Sequence, residues 1–212
     1  MPDDGAFALG VLLLGAGFSV RMGTPKLLLP WDGTTVIGHT IAQWRKANPE
    51  QIVVVCRADD TSLHQELDRL QFSREDRVIN PAPENGMFSS IQTAARWPGW
   101  RAALTHWAIA LGDQPQLSGE ILAELTAFAS EHRDRVCQPS YRGRARHPVI
   151  LPRNQFRALG SATDEHLQAF LQRTVGTVAR CEIDDPGLEL DLDTRSDYQA
   201  ALARFGGASG NP

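Results

Sequence analysis

The sequence predicts an α/β protein, a Rossmann-like three-layer sandwich around a mostly parallel sheet. Three observations lead there. Short, almost continuous apolar runs alternate with longer amphipathic stretches, the rhythm of β-α-β units whose strands are buried on both faces. The first of these runs ends in the glycine-rich turn Gly15-Ala16-Gly17, and the fourth ends in Gly112-Asp113. In open parallel sheets, ligands bind outside the carboxyl ends of the strands, so both turns stand where chemistry is expected.

Phe7 to Leu14 is nearly all apolar and reads as a buried strand. Thr34 to Ala47 places Val36, Ile37, Ile41 and Trp44 at helical spacing, behind threonines able to cap. Gln51 to Cys56 is a β-branched strand, and Asp59 to Leu70 a helix with an acidic start. Val78-Ile79 supplies a third short strand, Met87 to Trp97 a helix, Trp107 to Leu111 a fourth strand and Gly119 to Ala129 another helix. Units of this length imply right-handed crossovers with helices on both faces. After about residue 135 the rhythm changes. Val136 to Leu151 alternates around Gly143, like a hairpin or loop laid beside the sheet. Residues 153–174 look helical with a break near Gly160, Thr177 to Ile183 is a strand, Leu188 to Leu192 is extended, and a last helix runs from Ser196 to Phe205. One domain is expected over residues 1–205, with 206–212 as a flexible tail.

Of 212 residues, 42% are hydrophobic, which suits one sizeable core rather than a disordered chain. Lys and Arg total 21 against 25 Asp and Glu, a net charge of −4, which speaks against a nucleic-acid or membrane partner held by bulk charge. No apolar run reaches the roughly 18–20 residues that span a bilayer. Asp3 and Asp4 stand where a signal peptide would carry basic residues, and Cys56, Cys137 and Cys181 are sparse and unpaired in spacing. A reducing, cytoplasmic setting with buried free thiols is expected.

The glycine-rich turn continues as Phe18-Ser19-Val20-Arg21-Met22-Gly23-Thr24-Pro25-Lys26. Successive backbone N–H groups can cradle phosphate oxygens there, and Arg21 and Lys26 offer a planar fork and a point charge suited to a polyphosphate. Val20 occupies the third-glycine position of the dinucleotide fingerprint, and no Gly-Lys-Ser/Thr follows as in a P-loop. Cys56-Arg57 ends the second strand where a ribose-binding acid would stand in a dinucleotide oxidoreductase. A plain strand-to-helix turn with solvated cations remains the alternative.

Asp113 points from a strand end toward the same crevice and suits magnesium, or else caps the turn before Pro115. Asp191 and Asp193, two apart on an extended segment, face one way and repel unless a cation or solvent intervenes. The alternative is that Asp193 or Thr194 caps the final helix. Gly86 to Ser90 is a glycine loop entering a helix with two hydroxyls, able to contact a base or ribose, or merely to cap it. Arg142, Arg144 and Arg146 alternate before His147-Pro148 and would line one face toward an anionic second substrate, with a solvated surface strand as the default. The other histidines, at 39, 64, 106, 132 and 166, show no ligand spacing.

Together these segments resemble the MobA-like nucleotidyltransferases, most closely those that transfer CMP to molybdenum cofactor. Leu14 to Lys26 is similar to the family's L-[AG]-[AG]-G-x-S-x-R-M-G-x-x-K, and Leu27-Leu28-Leu29-Pro30 continues it. Gly86-Met87-Phe88-Ser89-Ser90-Ile91, Leu111-Gly112-Asp113-Gln114-Pro115, His147-Pro148-Val149 and Asp191-Leu192-Asp193-Thr194 look like four further family motifs in family order. The resemblance implies that Leu14, Gly15, Ala16 and Gly17 wrap a nucleotide, that Arg21 and Lys26 hold its triphosphate, and that Gly86 and Ser90 meet the base. It implies Mg2+ on Asp113 and Asp191, with Asp193 the rival for the second place, and Arg21, Lys26 and Asp113 as catalytic groups. Arg144, Arg146 and His147 would face the acceptor. Ala16 leans the donor toward CTP; guanylyl transfer, a sugar-phosphate acceptor and a silent nucleotide-binding module are the alternatives. The implied partners are a nucleoside triphosphate, a phosphorylated pterin, and a molybdoenzyme or its chaperone. Two segments depart from the family pattern, both on the acceptor side. Arg146 replaces the glycine before His147, and no G-D-x-G-A-R stretch follows Leu159.

Overall fold

The computed structural model describes residues 6–174 and 178–206. The tail expected over 206–212 lies outside the described residues from 207 onward, and so does Thr177, the expected start of the last strand. Among the described residues, strand β1 (Leu9–Leu14) has six residues, five of them buried. A two-residue hairpin follows, β2 (Pro30–Trp31) and β3 (Thr34–Thr35), turning at Asp32-Gly33 with φ of 42° and 75°. Helix α1 (Val36–Lys46) begins where the Thr35 hydroxyl accepts from the Gly38 N–H, as its threonines foretold. Then come β4 (Gln51–Arg57), α2 (Thr61–Arg69) capped by Asp60, β5 (Arg77–Asn80), α3 (Met87–Arg96), β6 (His106–Leu111) and α4 (Gly119–Glu131).

The carboxyl-terminal part holds β7 (Val136–Tyr141), β8 (Arg144–Ala145), β9 (Val149–Pro152), α5 (Arg153–Leu159), α6 (Leu167–Arg173), β10 (Val178–Glu182) and α7 (Arg195–Phe205). The strand order is β10-β7-β9-β6-β1-β4-β5, with β8 joined to β7. Strands β5, β4, β1 and β6 are parallel neighbours, and β7 is parallel to β10. The expected hairpin does not lie beside the sheet. It enters it, with β9 antiparallel between β6 and β7.

Two apolar layers cover the sheet. Alternate residues of β1 divide between them: Val11 and Leu13 join Ile37, Trp44 and Leu122 on one face, while Leu12 joins Ile91, Ile109 and Phe156 on the other. Burying each such leucine contributes roughly 2 kcal/mol of transfer free energy. The chain order reverses around β1, with β4 on one side and β6 on the other, so a crevice opens above their carboxyl ends. All three cysteines are free and buried. No helix of the described residues is long and apolar enough to cross a membrane.

Candidate active site

The first loop is folded by its own motif. Gly15 donates its N–H to the Val55 carbonyl at 2.9 Å, and a Cβ at Gly15 would stand 2.9 Å from that oxygen, so no larger residue lets β1 leave the sheet there. Ser19 adopts a left-handed conformation (φ 52°), its carbonyl accepts from Met22 and Gly23, and its hydroxyl accepts from the Lys26 N–H at 3.2 Å. Met22 is buried beneath the turn. The Ser-x-Arg-Met-Gly spacing therefore fixes the loop and leaves the Arg21 and Lys26 side chains to the crevice.

Asp113 reaches the same place from β6. Leu14 and Leu111 are register partners, and Gly112 donates to the Leu14 carbonyl at 3.1 Å, so the two loops leave the sheet side by side. Lys26 Nζ pairs with Asp113 and lies 3.7 Å from Asp193, while Arg21 reaches Asp193 at 2.8 Å. The returning acidic segment is held by Gln116, whose Nε2 donates to the Gly187 and Leu190 carbonyls at 3.0 Å each. The extension expected over Leu188–Leu192 is corrected in its first half. Pro186–Glu189 forms a 3-10 turn, because proline presets its first φ and Asp185 caps the Gly187 N–H at 2.6 Å. Leu190 has extended dihedrals, and Leu192 is buried between the two aspartates that line the crevice. The helix-capping duty falls to Thr194, in a reciprocal box with Asp197. Asp193 is thereby left to face the cations. Partial burial, then the charges of Asp193 and Asp113, hold the Asp191 carboxyl above its ordinary range, although much of its surface stays open.

The crevice measures about 390 Å3. Of the residues singled out in the sequence, Leu14, Ala16, Gly17, Arg21, Lys26, Gly86, Ser90, Asp113, Asp191 and Asp193 line it. Gly15 lies buried just beneath. Gly86 has φ of +84°, a conformation open to glycine, and lets the loop after β5 turn into α3. Phe18 and Met87 also line the crevice and are 52% and 48% exposed, which leaves apolar surface at the mouth. Gln116 escaped the sequence reading, and so did the support given by Arg57, which donates to the Gly17 carbonyl at 2.8 Å and lies 4.5 Å from the Phe18 ring centre, bracing the loop tip from β4.

A second cavity, about 550 Å3, shares Met87 with the first. Arg146 and His147 line it, but Arg144 does not; Arg144 is exposed and stands 4.0 Å from Glu189, which Arg146 meets at 2.7 Å. The expectation that three arginines share one face is corrected. Arg142 and Gly143 form a turn with φ of 51° and 73°, which ends the alternation and places Arg142 over the Tyr141 ring. Burial lowers the His147 pKa, opposed by a 3.4 Å contact with the Ile109 carbonyl and by the charges of Asp113 and Asp191. Gln138, His166, Gln168, Gln172 and Arg180 also line this cavity and were missed. Gln138 and Arg180 are register partners on β7 and β10, a pairing that a single sequence shows only as two polar positions in separate strands.

Residues 11–178 match the model of the MobA-like NTP transferase domain. The chain belongs to that family. The molybdenum cofactor cytidylyltransferase of Escherichia coli K12 is 22% identical over 202 residues, spanning 93% of this chain and 97% of that protein. The crystal structure of a Mycobacterium tuberculosis Rv0371c homologue from Mycobacterium sp. strain JC1 shares the fold, with a TM-score of 0.76, 27% identity, and coverage of 93% of this chain and 96% of that one. The structure of Rv0371c itself in complex with manganese has a TM-score of 0.72 at 23% identity over 93% of this chain and 99% of that one. As a MobA-like protein, the chain is a nucleotidyltransferase with a Rossmann-like fold.

Among the described residues, no three His, Cys, Asp or Glu side chains converge into a ready metal cage. The donor set still fits a hard divalent cation. Asp113, Asp191 and Asp193 offer carboxylate oxygens on one crevice, and magnesium commonly takes one or two carboxylates plus phosphate and water oxygens. Mutual repulsion, visible at Asp191, is the charge state that a cation relieves.

Proposed function

We propose that this protein is a Mg2+-dependent cytidylyltransferase that moves CMP from CTP onto a phosphorylated pterin of the molybdenum cofactor type. One observation carries the reading: Lys26 touches both Asp113 and Asp193, so the loop's cations and the downstream carboxylates share one end of the crevice. Nucleotidyl transfer needs that combination of charges. An oxygen of the acceptor phosphate attacks the α-phosphorus of CTP, the α–β bridging bond breaks, and pyrophosphate leaves with the bonding pair. No protein nucleophile takes part.

Arg21 and Lys26 hold the triphosphate and meet the charge that builds on the leaving pyrophosphate. Backbone N–H groups of Ala16 and Gly17 orient the phosphates, with Gly15 anchoring the turn to Val55 beneath them, and Gly86 and Ser90 face the base. Asp113 would hold Mg2+ with Asp191 or Asp193, the metal supplying Lewis-acid polarisation of the phosphates. Manganese bound to Rv0371c supports a divalent cation in this fold. The second cavity takes the acceptor. Its Arg146, His166 and Arg180 suit an anion, and its Gln138 and His147 suit a heterocycle edge, in keeping with the cytidylyltransferase relative. The product would pass to a molybdoenzyme or its chaperone.

The test combines thermal-shift titration of CTP, GTP, ATP and UTP, with and without Mg2+, and a mass-resolved product assay with molybdopterin. Mg2+-dependent stabilisation by CTP together with a cytidylylated pterin is the expected result. A guanylylated product would change the donor. Binding without any product would favour a nucleotide-sensing module.

A further inference from the structure

Asn80 closes β5, is only 2% exposed, and supports the glycine loop from below. Its amide orientation is fixed by chemistry. The Ala82 backbone N–H lies 3.0 Å from Asn80 Oδ1, and only an acceptor can satisfy it. The amide nitrogen therefore faces the other way, 2.8 Å from Ser89 Oγ and 2.9 Å from Ser90 Oγ, and donates one hydrogen to each.

The two hydroxyls then differ in what remains. Ser89 uses its proton on the carbonyls of Ala82 and Gly86, at 3.0 and 2.8 Å. Ser90 accepts from Asn80, and among the described residues no bond takes its proton. Ser90 is 4% exposed and lines the crevice. A hydroxyl carries one proton and two lone pairs; with the amide on one lone pair, the proton is turned away from Asn80 and is the buried polar hydrogen left for a ligand to satisfy.

We propose that Asn80 is a positioning residue that presets Ser90 as a hydrogen-bond donor to a ring-edge acceptor of the nucleobase. This rests on the cytidylyltransferase reading above, for which cytosine O2 and N3 are the acceptors available. The amide favours a base that presents a lone pair at Ser90, because one that presents an N–H there leaves the buried hydroxyl proton without a partner. A site that holds a polar partner in a dry pocket rejects a ligand lacking it far more strongly than an apolar site would.

The Asn80→Asp substitution keeps the Oδ1 acceptor for Ala82 but turns the other half of the group from donor to acceptor. Ser90 then donates to the introduced carboxylate and offers the ligand only lone pairs. The added charge is a separate effect, removed by a double-mutant cycle with Ser90→Ala. Calorimetry of Mg2+-CTP binding to the wild type, both single variants and the double variant reads the result. Asn80→Asp is expected to weaken CTP at least tenfold when Ser90 is present and less than threefold when Ala replaces it. Equal losses in the two backgrounds overturn the inference while leaving the cytidylyltransferase reading intact. Failure of the wild type to bind any Mg2+-nucleotide overturns both. A second measurement needs no variant. CTP analogues lacking O2 or N3 are titrated into the wild-type protein, and at least one should bind tenfold more weakly. CTP-like affinity for both would overturn the assignment even if Asn80→Asp does not fold.

Discussion

Lys26 and Asp113 form an ion pair across two loops that leave adjacent parallel strands, and the same ammonium lies 3.7 Å from Asp193. Both partners are largely shielded, at 20% and 16% side-chain exposure, so their interaction is less screened than a surface pair. One cation thus organises carboxylates contributed by two distant parts of the chain. Removing it leaves Asp113, Asp191 and Asp193 facing one another and takes away the anchor proposed for a triphosphate. Lys26→Ala is expected to lower pyrophosphate release at least 100-fold, while the far-ultraviolet circular dichroism stays native. Near wild-type turnover in that variant would sink the proposed chemistry.

Asp191 carries a pH signature of opposite sign to a stabilising salt bridge. Its folded-state pKa is raised, so the folded protein holds this proton more tightly than the unfolded chain does. The associated stability is present at low pH and is lost as pH rises through the carboxylate range. At neutral pH Asp191→Asn should therefore match or exceed the wild type in stability without metal, by less than about 1 kcal/mol because the site is partly open. The same variant should bind Mg2+-CTP more weakly. Urea melts at pH 4 and pH 7 with EDTA read the first effect, and calorimetry the second. A variant less stable than wild type at pH 7 contradicts the repulsion.

Gln116 is the mechanical link between the two acidic segments, since its single amide serves the carbonyls of Gly187 and Leu190. Gln116→Leu would leave those carbonyls without their donor, at a cost of about 1–3 kcal/mol in unfolding free energy. The segment bearing Asp191 and Asp193 would loosen with it. Mg2+-dependent CTP affinity should fall more than affinity measured in EDTA. Equal affinities in wild type and variant would show that the aspartates need no such tether.

Much of this was legible because periodicity and turn chemistry are local signals. The apolar runs of β1 and β6, ending in Gly15 and Gly112-Asp113, announce strands that must turn at a ligand-facing edge. Ser19, Arg21, Met22 and Lys26 are close enough in sequence to be read as one loop. The hairpin of Pro30–Trp31 with Thr34–Thr35 was missed although Asp32-Gly33 is a strong turn signal, because each strand is too short to show alternation. The second cavity was beyond reach for another reason. Its wall joins Gln138 to Arg180 and His166, and which strands pair is a property of the sheet, not of either segment. Arg57 was hidden likewise, since its partner Gly17 belongs to a loop far upstream.

Arg146 belongs to the second cavity and not to the first. It lines the second and pairs with Glu189 at 2.7 Å, at a position where a small glycine was expected from the resemblance. Arg146→Ala should raise the KM for the pterin acceptor at least tenfold and leave Mg2+-CTP binding within twofold of wild type. Steady-state kinetics with each substrate varied in turn distinguishes the two. An effect on CTP alone would move Arg146 out of the acceptor site.

His147 lines the second cavity, held by the Ile109 carbonyl and close enough to feel Asp113 and Asp191. Burial outweighs those attractions and keeps its pKa below the ordinary 6.5. The unfolded chain then takes up the proton first as pH falls. Stability from this group is accordingly complete above about pH 6.5 and is lost on acidification toward its folded pKa. His147→Gln retains a polar side chain without the titration, so its stability should fall less between pH 7.5 and 5 than that of the wild type. The neutral ring also matters to the chemistry. With Nδ1 directed at the Ile109 carbonyl, Nε2 keeps a lone pair and can accept a hydrogen bond from an acceptor substrate, which an imidazolium cannot. The pterin KM should therefore rise on acidification through the lowered His147 pKa in the wild type and change less in His147→Gln. Parallel stability curves and parallel KM profiles for the two proteins would show that His147 is charged throughout or takes no part.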